Sequence, residues 1–351
     1  MHFSSDNWAG AHPRIAEALT RHASGFAAAY GLSDLDRRIE QKFNDIFERE
    51  VAVFFVGTGT AANSLSMAAL SRPGGVAFCH RDAHLIEDEG GAPQLLANSI
   101  RLEPVDGDLG KIDPRELDAA IRRFPPEFVH AGQPMAVSIS QSTEIGTVYE
   151  ADEIERVVET CRRHGLPLHM DGARFANAMA ALGHSPAEMT WRRGVDILSF
   201  GATKNGCWCA EVLVVFDPDK AADLPYLRKR SAHLFSKSRF ISAQLEAYFE
   251  NNLWIEMAAH ANAMAAELQS VIEAAEGARL AWRSRANEVF AILDRGRFTA
   301  LLEKGVQFYE WKTPRFATGL VGDNEVITRL VTGFATTPEH VSEFAALLKQ
   351  T

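Results

Sequence analysis

Three short segments of the chain carry side chains of complementary chemistry. A turn of glycine and threonine at 57–60 follows an apolar run and precedes a helical pattern, so its backbone N–H groups and the positive helix end can bind a phosphate. Asp171 ends a second apolar run, where a carboxylate can keep a pyridine nitrogen protonated. Lys204 lies in a turn of small residues after a third run, where a buried amine can form an imine with an aldehyde.

Each segment alone also has an ordinary structural explanation. The turn has neither the glycine spacing of a dinucleotide-binding fold nor the lysine of a P-loop. Asp171 could cap a helix over 173–181, and a lone lysine in a loop is usually solvated. The order of the segments, with Lys204 following Asp171 by 33 positions, nevertheless resembles the layout of type I pyridoxal 5'-phosphate (PLP) enzymes. The sequence therefore predicts PLP held as a Schiff base on Lys204.

The elements that position these segments alternate between short apolar runs and amphipathic helical patterns. The runs lie at 51–56, 75–79, 99–102, 135–139, 166–170, 195–200 and 212–216. Continuous apolar runs are typical of buried parallel strands, and ligands bind at the carboxyl ends of such strands. We predict a mostly parallel, doubly wound α/β sheet with the three segments at one edge.

The last third of the chain has a different pattern. It is helical to about residue 275, then has strand-like pieces at 289–293 and 327–332 and a helix after Pro338. This predicts an N-terminal arm at 1–12, a large PLP-binding domain at 13–250 and a small C-terminal α/β domain at 251–351.

Composition restricts the possible partners and the compartment. A net charge of -10 argues against nucleic acid or an anionic membrane as the main partner. No signal pattern or membrane-length apolar run is present, so we expect a soluble cytoplasmic protein. Cys207 and Cys209 flank Trp208 and are expected to occupy alternate positions of a strand, and no metal site is expected.

Longer motifs resemble the L-threonine aldolases, in particular their low-specificity and phenylserine-aldolase-like branch. The matching stretches are 5–7, 29–31, 59–65, 83–84, 88–93, 141–149, 169–177, 200–206 and 329–332. The most specific is His-Met-Asp-Gly-Ala-Arg at 169–174. The resemblance implies the type I PLP fold with a seven-stranded sheet. It also implies cleavage of L-threonine, L-allo-threonine or related L-β-hydroxy-α-amino acids, such as phenylserine, to glycine and an aldehyde.

The resemblance assigns cofactor roles that agree with the chemistry above. Lys204 forms the imine and Asp171 pairs with the pyridinium nitrogen. Gly59 and Thr60 bind the phosphate. Two further residues contact the cofactor, His84 through its ring face and Lys229 from a neighbouring subunit. Type I enzymes build their sites at subunit interfaces, so a homodimer or homotetramer is expected.

Substrate roles also follow from the resemblance. Arg174, which borders the cofactor, and Arg329 would bind the substrate carboxylate. Other residues that would line the pocket are Ser5, Tyr30 and Glu89. His84, or a water that it holds, is the first candidate to accept the β-hydroxyl proton. Glu144 stands where many relatives carry a histidine and is the alternative acceptor.

Two other functions remain open on sequence grounds. A β-eliminating lyase or an aminotransferase would use the same cofactor residues and differ only in its substrate pocket. A non-catalytic binding module of the same fold would usually lack the lysine or the aspartate, and this chain retains both Lys204 and Asp171.

Overall fold

Seven strands form the larger sheet of the computed structural model, which describes residues 1–351. They are β1 Ala52–Val56, β2 Gly75–His80, β3 Arg101–Val105, β4 Gln133–Ser140, β5 Leu168–Gly172, β6 Ile197–Gly201 and β7 Glu211–Val215. Their order is β1-β7-β6-β5-β4-β2-β3, and only β7 runs antiparallel to its neighbours. The predicted mostly parallel sheet is confirmed.

Thirteen α-helices accompany the strands. They are α1 Pro13–Arg21, α2 Asp34–Phe47, α3 Gly59–Ala69, α4 His84–Glu87, α5 Ala92–Leu96, α6 Pro114–Arg122, α7 Ala151–Arg163, α8 Phe175–Leu182, α9 Leu224–Arg230, α10 Arg239–Phe249, α11 Leu253–Glu273, α12 Arg295–Glu303 and α13 Pro338–Leu348. None is both long and apolar enough to cross a membrane.

Helices cover both faces of the larger sheet because its strands are apolar on both sides. In β7, Val212 and Val214 pack into a core that includes α2, α7 and α10. Leu213 and Val215 point the other way and pack with α3 and α9. Such continuous burial explains why these strands are uninterrupted apolar runs in the sequence.

The second sheet has four antiparallel strands in the order β10-β11-β9-β8. They are β8 Ala278–Trp282, β9 Glu288–Asp294, β10 Tyr309–Trp311 and β11 Glu325–Val331. One face packs on α11, α12 and α13, and the other faces Ile145 of the larger unit. The division at residue 250 stays a prediction.

The N-terminal arm is tied to this second sheet. The amide of Phe3 donates to the carbonyl of Gln307 at 2.7 Å, and the amide of Val331 donates to the carbonyl of Phe3 at 2.8 Å. The Phe3 side chain is fully buried, with its ring centroid 5.7 Å from that of Phe344. The arm is therefore a structural part of the small sheet, although its polar sequence indicates only an extended segment.

Several local expectations were wrong. Residues 207–209 form a bend before β7 rather than a strand. Strand β3 begins at Arg101 instead of residue 99, because Asn98 and Ser99 both have φ of 59°, outside the extended region. Strands β8 and β10 have no clear sequence signal.

We expect Phe3→Ala to lower the free energy of unfolding by about 3–5 kcal/mol, because it removes a fully buried aromatic side chain. Chemical denaturation followed by circular dichroism measures this change. Phe128→Ala is the matched control, since that ring is 53% exposed. Equal stability of the Phe3 and Phe128 variants would show that the arm does not stabilise the small sheet.

Candidate active site

A cavity of about 260 Å³ opens at the edge where β1, β5 and β6 end. Seven of the residues predicted for the site line it, namely Gly59, Thr60, His84, Glu89, Asp171, Arg174 and Lys204. Glu144 lines it as well. The cavity lining does not include Ser5, Tyr30, Lys229 or Arg329. The three chemically complementary segments therefore meet, as the strand-end rule predicts.

The phosphate-type turn is built by the start of α3. The hydroxyl of Thr58 caps the helix by accepting from the amide of Ala61 at 3.1 Å. A Cβ on Gly57 would lie 2.7 Å from the ring of Phe235, so that ring would have to move. No other atom lies within 4 Å of where a Cβ on Gly59 would be. The positive end of α3 is therefore open to an anion.

Asp171 lies near the end of β5 and is 5% exposed. Its Oδ1 accepts from the amide of Ala173 at 3.0 Å, and its Oδ2 accepts from the Asn63 side-chain amide at 2.7 Å. Helix α8 begins only at Phe175 and its N-cap is Arg174, so Asp171 is not a helix cap. Its carboxylate is thus fixed at the cavity wall, in reach of a ligand.

Asn63 connects Asp171 to a second carboxylate and was not singled out from the sequence. Its amide nitrogen also donates to Glu89 at 2.8 Å, and Glu89 in turn accepts from His84 Nδ1 at 2.8 Å. This hydrogen bond with Glu89 raises the pKa of His84 to about 9, despite the opposing effect of burial. The His84 ring is therefore protonated at neutral pH in the protein alone.

The turn that carries Lys204 is anchored on both sides of the lysine. The side chain of Asn205 donates to the hydroxyl of Tyr248 and to the carbonyl of Trp254, both at 2.8 Å. The hydroxyl of Thr203 accepts from the amide of Ala210 at 3.1 Å. Lys204 itself is half-buried in the cavity wall. The backbone is rigid while the amine faces the cavity, which suits a covalent attachment point.

Glu211 is a further cavity residue that the sequence analysis missed. It begins β7, pairs with Val56 and Gly201 at the ends of β1 and β6, and is 6% exposed. Burial raises the pKa of its carboxyl to about 7. It was missed because sequence patterns give no strand direction, and only an antiparallel strand begins at the edge where the others end.

Arg174 and Arg329 share a buried carboxylate. Arg174 donates to Asp6 from Nε at 2.8 Å and from a terminal nitrogen at 3.2 Å, and its other terminal nitrogen lies 3.2 Å from Glu288. Arg329 lies 3.7 Å from Glu288 and stacks 4.3 Å from the ring centroid of Trp311. Asp6 and Glu288 were not among the predicted site residues.

The remaining predicted residues lie outside the cavity of this chain. Tyr30 is 49% exposed, with the Lys229 amine 5.8 Å from its ring centroid. Ser5 lines a neighbouring cavity with Asp6. The Trp208 side chain is 65% exposed and does not line the site. The pairing of Tyr30 with Lys229 on an exposed surface suits a role toward another subunit.

The residues of the cavity fit PLP. An open helix N-terminus suits the phosphate, a buried carboxylate suits the pyridine nitrogen, and an amine on a rigid turn suits the aldehyde. The three groups line a single cavity, so one small molecule can contact them together.

We expect Glu89→Gln to lower the pKa of His84 from about 9 toward its ordinary value of 6.5 in the cofactor-free protein. In the wild type, the stability that comes from this raised pKa is present below pH 6.5 and is lost as pH rises through about 9. Nuclear magnetic resonance titration of the histidine ring signals measures the pKa, and thermal unfolding at several pH values measures the stability.

Glu246→Gln is the control for this prediction, because Glu246 accepts from His22 at 2.9 Å outside the cavity. It should leave the titration of His84 unchanged. An unaltered His84 titration in Glu89→Gln contradicts the role of Glu89.

Comparisons with known proteins identify the family of this chain. The beta-eliminating lyase family matches residues 2–295. The low-specificity L-threonine aldolase of Pseudomonas aeruginosa is 39% identical over 308 residues, which cover 88% of each chain. The low-specificity L-threonine aldolase of Saccharomyces cerevisiae is 27% identical, over 80% of this chain and 72% of the yeast protein.

A solved structure is similar over the whole fold. The threonine aldolase of Leishmania major superimposes with a TM-score of 0.90 at 29% identity, covering 99% of this chain and 98% of its own. With the sequence relatives, this similarity defines the family and its PLP cofactor. The chain belongs to the beta-eliminating lyase family and, within it, to the L-threonine aldolases, which are PLP-dependent lyases.

Proposed function

We propose that this chain cleaves L-threonine, L-allo-threonine and related L-β-hydroxy-α-amino acids, such as phenylserine, to glycine and an aldehyde. The meeting of Lys204, Asp171 and the open N-terminus of α3 in one cavity carries this proposal. The 39% identity to a low-specificity L-threonine aldolase supports the choice of substrate class.

Three groups of the chain would hold the cofactor. Lys204 would bond its aldehyde carbon, the amides of Gly59 and Thr60 would bind its phosphate, and Asp171 would pair with its ring nitrogen. When bound, PLP would supply a carbonyl group for the substrate amine and a sink for the electrons of the breaking Cα–Cβ bond. Because Asn63 of α3 fixes Asp171, one helix would position both the phosphate site and the carboxylate for the ring nitrogen.

Arg174 and Arg329 would bind the substrate carboxylate. Arg174 already lines the cavity. Arg329 is held through Glu288 on the small sheet, and its Nε is buried without a hydrogen-bond partner. An unpartnered guanidinium nitrogen favours an incoming carboxylate, since a buried donor without an acceptor is costly.

The acceptor of the β-hydroxyl proton that the geometry best supports is Glu144. The sequence favours His84 or a water held by it, but hydrogen bonding to Glu89 keeps the pKa of His84 near 9, so its ring is already protonated. Glu144 lines the same cavity, and its Oε1 accepts from the His84 amide at 3.3 Å. As the hydroxyl proton passes to Glu144, the C–O bond becomes the aldehyde carbonyl and the Cα–Cβ bond breaks. Addition of a proton to Cα then completes glycine.

We further propose that the active unit is a cytoplasmic homodimer or homotetramer. Tyr30 and Lys229 lie together outside the cavity of their own chain, and α9 also carries Tyr226, an exposed aromatic side chain. A second subunit on this surface would bury them and bring Lys229 to a neighbouring phosphate. The four cysteines are free thiols, which suits the reducing cytoplasm.

The test of the proposed function is release of glycine and aldehyde from L-threonine, L-allo-threonine and L-threo-phenylserine. We expect both products from the PLP-loaded wild type and neither from Lys204→Ala, which lacks the amine that bonds the cofactor. Bound yellow cofactor with keto acid, and no aldehyde, as the product would instead indicate elimination or transamination.

We expect Glu144→Gln to lower kcat for L-threonine by about 10²–10⁴, the range for loss of a general base, while KM changes much less. Steady-state kinetics with coupled aldehyde detection measures both constants. Glu103→Gln is the control, since Glu103 is a buried carboxylate outside the cavity. A Glu144→Gln variant with wild-type kcat would return the role to His84 or to water.

A further inference from the structure

Glu288 is a buried carboxylate between the two arginines that would bind the substrate. It begins β9 and has no exposed surface. Its Oε2 lies 3.2 Å from Arg174 and its Oε1 lies 3.7 Å from Arg329. Neither carboxylate oxygen has a hydrogen-bond partner of good geometry. Glu288 is therefore held mainly by charge.

The charges around Glu288 come from four other segments. Arg174 precedes α8, Arg329 lies on β11, Asp6 is in the N-terminal arm and Glu144 follows β4. Asp6 accepts two hydrogen bonds from Arg174 and a third from the Asn287 side chain at 3.0 Å. With Glu288 ionised, Glu288 and Asp6 already balance the two guanidinium groups before any substrate enters, and Glu144 adds further negative charge nearby.

A substrate carboxylate disturbs this balance. It places a third anion beside two cations that are already neutralised, in a region where charge is poorly solvated. The two arginines cannot give full stabilisation to three carboxylates at once. The response that costs the least free energy is for Glu288 to become neutral, because it is the least solvated of the three carboxylates and has the fewest hydrogen bonds.

We propose that Glu288 is a positioning residue that holds Arg174 and Arg329 for the substrate carboxylate, and that it takes up one proton from solvent when that carboxylate binds. The substrate carboxylate thus replaces the ionised Glu288 as the counter-ion of the arginines. This inference rests on the proposed function, because it assumes an amino-acid ligand with a free carboxylate.

The electrostatics of the free protein agree with such a role. Burial raises the pKa of Glu288, while Arg174 and Arg329 act in the opposite direction. Asp6 and Glu144 contribute further in the raising direction. When a substrate carboxylate competes for the arginines, their lowering effect weakens and the protonated form gains. Binding of the carboxylate and of the proton are then thermodynamically linked.

This linkage predicts a pH dependence of affinity. A ligand carboxylate should bind most tightly where Glu288 is already protonated. Affinity should then fall by about tenfold per pH unit as pH rises above the pKa of Glu288 in the free protein, until the pKa in the complex is reached. Glu288→Gln, which is neutral at every pH, should lose this component and bind more tightly than the wild type at high pH.

The test is isothermal titration calorimetry of glycine into the PLP-loaded enzyme. Titrations in two buffers that lack primary amines and differ in ionisation enthalpy give the number of protons taken up. Proton changes from the amine and the cofactor are common to all variants and cancel in the comparison. We expect the wild type to take up as much as one proton more than Glu288→Gln. The full difference is expected at a pH between the pKa of Glu288 in the free protein and its pKa in the complex.

Glu103→Gln is the matched control. Glu103 on β3 is also buried and is also bound by two arginines, Arg101 at 2.7 Å and Arg123 at 2.8 Å, but neither of these arginines lines the cavity. It should match the wild type in proton uptake. This control distinguishes the effect of losing any paired buried carboxylate from the effect of losing Glu288.

Each outcome decides a different question. Equal proton uptake in the wild type and in Glu288→Gln, with glycine bound by both, overturns the role of Glu288 and leaves the aldolase proposal intact. If the wild type does not bind glycine, the proposed function falls and this inference falls with it. Should Glu288→Gln fail to fold, infrared difference spectroscopy of the wild type decides, because a protonated carboxyl band must appear when glycine binds.

Discussion

Burial of the Arg174 guanidinium is the constraint on which the rest of the site depends. The side chain is 7% exposed, and its charge is tolerable there because Asp6 and Glu288 neutralise it. These partners come from the N-terminal arm and the small sheet, while Arg174 follows a strand of the large sheet. Removing one partner of such a buried pair typically costs about 3–5 kcal/mol, so the ion cluster fastens three separate parts of the chain around the cavity.

Helix α3 organises the opposite side of the cavity through ordinary helix physics. Its first residues leave backbone N–H groups unpaired, and the Thr58 cap satisfies one of them, at Ala61. One turn further on, Asn63 donates to both Asp171 and Glu89. A single rigid element thus sets the position of an anion site, of the carboxylate for the ring nitrogen and, through Glu89, of the charge on His84.

The parts of this arrangement that follow from local sequence were predictable. Gly59, Asp171 and Lys204 could be placed together because parallel strands end at one edge, and each follows an apolar run. Glu211 escaped prediction because β7 is antiparallel and brings its first residue, not its last, to that edge. The contact between Asp6 and Asn287 joins residues 281 positions apart, and no periodicity or motif specifies such a pair.

The carboxylates at and behind the cavity wall fall into two groups according to the donors that surround them. Asp171 and Glu89 each accept hydrogen bonds from Asn63 and from a second donor, which fix the two side chains in position. Neither carboxylate oxygen of Glu288 accepts such a bond, and burial raises its pKa. The first two carboxylates therefore orient a ligand. In the proposed exchange, Glu288 gives up its charge as the substrate carboxylate arrives, so a cavity rich in carboxylates can still admit an anionic amino acid.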